Sequence, residues 1–85
     1  MKPTIGRTII VKGGPAAKNG TDRAPAVITR VWNDTDTRNG PAMVNATMFC
    51  DLSTPQVVGS MPLFDDEAQA DAANTAPVAF WPERN

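Results

Sequence analysis

Eighty-five residues make one domain, and a chain this short buries only about 60–65% of its unfolded surface. The single cysteine, Cys50, rules out an internal disulfide. With no histidine, a zinc cluster is not expected either. A formal net charge of −1 and a pI near 5.1 exclude the strongly basic balance of a typical nucleic-acid-binding domain.

The chain reads as β. Its 6 Gly and 8 Pro fall between short apolar runs at regular intervals, the spacing of a small barrel or sandwich. The first run, Thr4 to Lys12, draws β-branched bulk from Ile5, Ile9, Ile10 and Val11, and Gly13-Gly14-Pro15 ends it. Ala16 to Asp22 is a loop with Asn19-Gly20 as its turn signal. In the second run, Ala24 to Trp32, neither face is purely polar. Both faces are expected to be covered, one by the core and one by a partner or ligand.

The third run, Pro41 to Leu52, alternates most cleanly. Val44, Ala46, Met48, Cys50 and Leu52 are expected inward; Met43, Asn45, Thr47, Phe49 and Asp51 share the other face. Gln56 to Phe64 reads as a fourth strand, kinked by Gly59 and Pro62. Asp65 to Asn74 has too little apolar periodicity for a packed helix and reads as a surface loop. Ala76 to Trp81 is the closing strand, with Trp81 either completing the core or lying at a binding edge.

Charge divides unevenly along the chain. Residues 1–42 carry seven Lys/Arg against three Asp, and residues 43–85 carry one Arg against six acids. This pattern fits a mixed solvated surface with interleaved strands, a basic face for phosphate, or a protomer that packs head to tail. Small domains often gain stability by self-association, so a homo-oligomer is expected. No apolar run approaches the roughly 20 residues of a membrane helix, and the first residues lack the apolar core of a signal peptide. A cytoplasmic protein is the expectation, with Cys50 a reduced, buried thiol.

Catalytic arrangements are scarce. Without histidine there is no Ser-His-Asp or Cys-His pair, no phosphate-loop or dinucleotide fingerprint occurs, and Asp65-Asp66-Glu67 reads as a solvated acidic turn. No enzymatic activity, cofactor or metal is expected. Binding groups are better represented. Arginines fork onto phosphate, and Trp or Phe rings stack on bases. The candidate ligand-binding set is Arg7, Arg23, Arg30, Trp32, Asn45, Thr47, Phe49, Trp81 and Arg84. Arg30 and Trp32 share a face of the second strand. They form either a phosphate-and-base site or a core cap with Arg30 paired to an acid of the second half.

Ile5-Gly6, then Ala24, Ala26, Val27 and Val31, then Phe64-Asp65-Asp66-Glu67 and the Phe80-Trp81-Pro82-Glu83-Arg84 tail follow one order. That order resembles a family of short phage and prophage proteins of unassigned role. The resemblance implies a phage protein with a barrel of about five strands, SH3-like or OB-like. Phage origin makes an anti-defence sponge the leading functional expectation, one that sequesters cyclic nucleotide signals of bacterial immunity. The alternatives are a protein-interaction module or minor virion protein, and a barrel that binds single-stranded nucleic acid, against which the acidic pI argues.

Overall fold

Five strands close into one barrel in the computed structural model, which describes residues 1–82, the side chain of Lys18 excepted. They are β1 (Thr8–Lys12), β2 (Arg23–Asn33), β3 (Ala42–Met48), β4 (Gln56–Phe64) and β5 (Val78–Phe80). Strands β1 to β4 form an antiparallel meander; β5 closes it, parallel to β4 and antiparallel to β1. Of the barrel or sandwich expected from the turn spacing, the all-β barrel is the fold. Neighbours follow chain order, so of the two expected topologies the SH3-like meander fits and the Greek-key OB-like order does not.

A barrel this narrow needs small inward side chains. Ala24, Ala26, Ala42, Ala46 and Ala79 alternate in space with Ile9, Val11, Ile28, Val44, Met48, Met61 and Leu63, all buried. Ladder alternation places them: β3 reads buried, half-buried, buried along its whole length. Cys50 is a buried free thiol, as expected. Leu52 is not inward. The chain leaves the sheet after Met48, Leu52 takes a left-handed φ of 56°, and its side chain is 99% exposed.

Two other segments differ from expectation. The loop after β1 contains a 3-10 turn over Gly14–Asn19. The acidic segment holds a helix, α1 (Glu67–Ala72), where a surface loop was expected. Asp66 caps α1, its carboxylate accepting from Gln69 N at 2.9 Å. Tertiary contact stabilises what periodicity does not signal: Ala70 packs with Val78, Phe80, Ile10 and Phe64 in a second apolar cluster outside the barrel wall. The same excursion carries the chain from β4 to its parallel neighbour β5, a connection no tight turn can make.

Gly13 ends β1 for a steric reason. Its φ is 78°, and a Cβ there would lie 2.8 Å from the Cβ of Ala76, on the segment entering β5.

Candidate functional site

The outer surface of the barrel has two halves. Over β1, β5 and the end of β4 it is covered by α1, held by ions as well as by Ala70. Lys12 Nζ donates to Glu67 Oε2 and Asp71 Oδ1, each at 2.8 Å, and Arg23 reaches Glu67 Oε2 at 2.6 Å. These bonds raise the Lys12 pKa, Asp71 contributing most and Glu67 next. The Lys12 bond holds Glu67 below the usual carboxylate range, with Arg23 adding to the effect. The basic first half and the acidic second half thus pair within one chain, as interleaved strands allow.

Over β2, β3 and the first part of β4 no described element covers the outer surface. Val27, Thr47 and Val57 lie side by side across the three strands. Phe49 N donates to Pro25 O at 2.9 Å and carries this row toward the β3–β4 turn. At the other end, β2 shifts register between Ile28 and Arg30 and again between Val31 and Asn33. Such bulges re-aim side chains. Here they bring the Arg30 guanidinium to 3.8 Å from the centroid of the Trp32 ring, a close cation–π contact.

Asn45 fixes this end. Its Oδ1 accepts from Trp32 Nε1 at 2.7 Å and from Ser60 N at 2.7 Å. Ser60 sits at φ 51°, in a stretch of β4 where the β3–β4 register also shifts. One carboxamide therefore pins both the indole and the irregularity in the adjacent strand. Trp32 remains 51% exposed, and Arg30 forms no ion pair among the described residues. Pro3, Thr4, Ile5, Val31, Asn33 and Asp34 join the pair around an open hollow of about 820 Å³.

The candidate binding set is divided by the fold. Arg30, Trp32, Asn45, Thr47 and Phe49 share the uncovered face. Arg23 lies elsewhere, engaged with Glu67. Trp81 is buried, its Nε1 donating at 2.8 Å to Oγ1 of buried Thr37, with Arg7 5.7 Å from its ring. Thr37 Oγ1 in turn lies 2.8 Å from Asp65 Oδ1. A second hollow, of about 780 Å³, opens beside Trp81 between Arg38 and the Asp65-Asp66-Glu67 turn. Arg38 is bound to Asp36, whose carboxyl its side chain holds well below the usual range. Arg84 lies outside the described residues.

Three exposed apolar residues were not expected: Ile5 at the hollow, Val57 on β4 and Leu52 in the turn between β3 and β4. Ile5 is 70% exposed, Val57 74% and Leu52 99%. With Trp32 and Phe49 they are the exposed large apolar side chains among the described residues, and β-branched Ile5 and Val57 look like ordinary strand residues in sequence. In comparisons with known proteins, no family model, curated protein or solved structure matches this chain.

Proposed function

We propose that this is a small non-enzymatic interaction protein that works by protein–protein contact through the uncovered face of β2, β3 and β4. One observation carries the reading. The exposed large apolar side chains of the described residues collect on that face and at its two ends, around an arginine with no acidic partner among those residues, while the opposite side is covered by α1. Scattered exposed apolar residues need no explanation, but a collected set marks a contact surface. Trp and Arg are also the residue types that anchor such contacts. A phage protein that assembles in a particle or blocks a host protein is consistent with this surface.

The sponge reading keeps one specific support, the Arg30–Trp32 stack beside an open hollow. Against it, Arg30 already covers one face of the indole, Arg23 is neutralised by Glu67, and Trp81 is enclosed. Among the described residues, a ligand with two phosphates would meet one arginine without an ion pair there.

Melting the protein against cyclic di- and trinucleotides and cyclic ADP-ribose isomers separates the two readings. Saturation at about a hundredfold over Kd adds roughly 2.7 kcal/mol, a shift of several degrees for a domain this small. The interaction reading expects no shift across the panel. A shift with one nucleotide class that Arg30→Ala and Trp32→Ala both abolish would overturn it in favour of the sponge.

A further inference from the structure

The geometry points to a second copy of this chain as the occupant of the uncovered face, in a two-fold dimer where the Asp51-Leu52 turn of each copy enters the Arg30–Trp32 hollow of the other. This rests on the reading that the face is a protein-contact surface. It adds which protein, and in what arrangement.

Leu52 motivates it first. A leucine at φ 56° is strained backbone, where Asn or Gly is the usual occupant. Its side chain is also 99% exposed, so the leucine side chain itself gains nothing among the described residues; the turn is held through its backbone, where Asp51 N donates to Asn19 Oδ1. A strained, fully exposed apolar residue at a turn tip is the shape of a knob. The hollow at the other end of the same face is the matching hole, walled by Ile5, Val31 and Trp32.

Charge fits the same pairing. Arg30 stands at the hollow and Asp51 beside the knob, and neither forms an ion pair among the described residues. The Arg30 guanidinium is held by Trp32, which Asn45 holds in turn. A partner carboxylate would therefore meet a preorganised fork rather than a free chain.

Placement along the strands supplies the symmetry. Arg30 pairs across the ladder with Asn45, and Phe49, just past the end of β3, lies four residues after Asn45, about 13 Å at normal strand rise. Thr47, between Val27 and Val57, is midway. An axis passing there exchanges the two ends of the face, so knob meets hole and Arg30 meets Asp51 twice, the self-complementarity of an isologous interface. Val27 and Val57 lie near the axis. The exposed large apolar side chains of the described residues all fall within this contact or on its edge.

Light scattering and sedimentation of the purified chain, from micromolar to millimolar, test this. The expected result is a particle of twice the 9.1 kDa chain mass that dissociates on dilution. Arg30→Asp, Asp51→Arg and Leu52→Asn should each raise the dimer Kd at least about tenfold. The combined R30D/D51R exchange should restore it, which a merely damaged fold would not do. Leu52→Asn keeps the folded chain intact because Asn tolerates a left-handed φ. A monomer at every concentration, an open-ended assembly, or a dimer indifferent to these changes would overturn the inference. A monomer that still cross-links from Val57 to a different protein would leave the contact-surface reading standing and remove only the second copy.

Discussion

Thr37 carries the most demanding polar contact among the described residues. It is 1% exposed and is the acceptor for the indole N–H of the last large core side chain. Thr37→Val keeps the shape and removes the oxygen, leaving a buried N–H unpaired, which costs about 1–3 kcal/mol. Thr37→Ser keeps the oxygen and should lose much less. Urea unfolding of the two variants checks this, and equal losses would show that the methyl group, not the hydroxyl, is what matters. Leu52 predicts the opposite sign. Leu52→Asn relieves left-handed strain of about 1 kcal/mol, so the dilute chain should melt about 4–8 °C higher. A lower melting temperature would mean that Leu52 is held by contacts within its own chain.

At the scale of elements, α1 is a six-residue helix that does not stand alone. Its Asp66 cap contributes about 1 kcal/mol. Its ionic clasp to β1 and β2 makes its hold depend on pH. Glu67 is held below its usual pKa chiefly by the Lys12 bond. Its contribution is present above the ordinary glutamate value of about 4.3 and is lost as pH falls through the lower folded value. Lys12 is raised chiefly by Asp71. Its contribution is present below about 10.4 and is lost as pH rises through the raised folded value. Asp36, lowered by Arg38, adds to the acid loss. Melting temperature should therefore be flat near neutrality and fall below about pH 4 and above about pH 10.5. Glu67→Gln should flatten part of the acid limb, and an unchanged limb would show that α1 is held by Ala70 and its apolar neighbours alone.

For the whole molecule, the barrel was legible because Gly and Pro punctuate the apolar runs and the ladder period is two. The inward positions of β3 through Cys50 follow directly from that period. Leu52 was not legible, because alternation continues in sequence after the backbone has left the sheet. Nor was α1, whose stability comes from side chains on β1, β4 and β5. The Arg30–Trp32 pair could be seen at two-residue spacing. The separation of Arg23 from it could not, since that depends on Glu67, 44 residues further along. Trp81 likewise moved from binding candidate to core through Thr37, at the same separation of 44.

The barrel's outer surface divides into a side covered by α1 and a working side across β2, β3 and β4. A photo-reactive residue placed at Val57, on the working side, and at exposed Ala72, at the end of α1, compares the two most directly. Protein adducts are expected from position 57 and none from position 72, with the Val57 adduct in the purified chain joining two copies. Adducts from position 72 with none from position 57 would contradict this division.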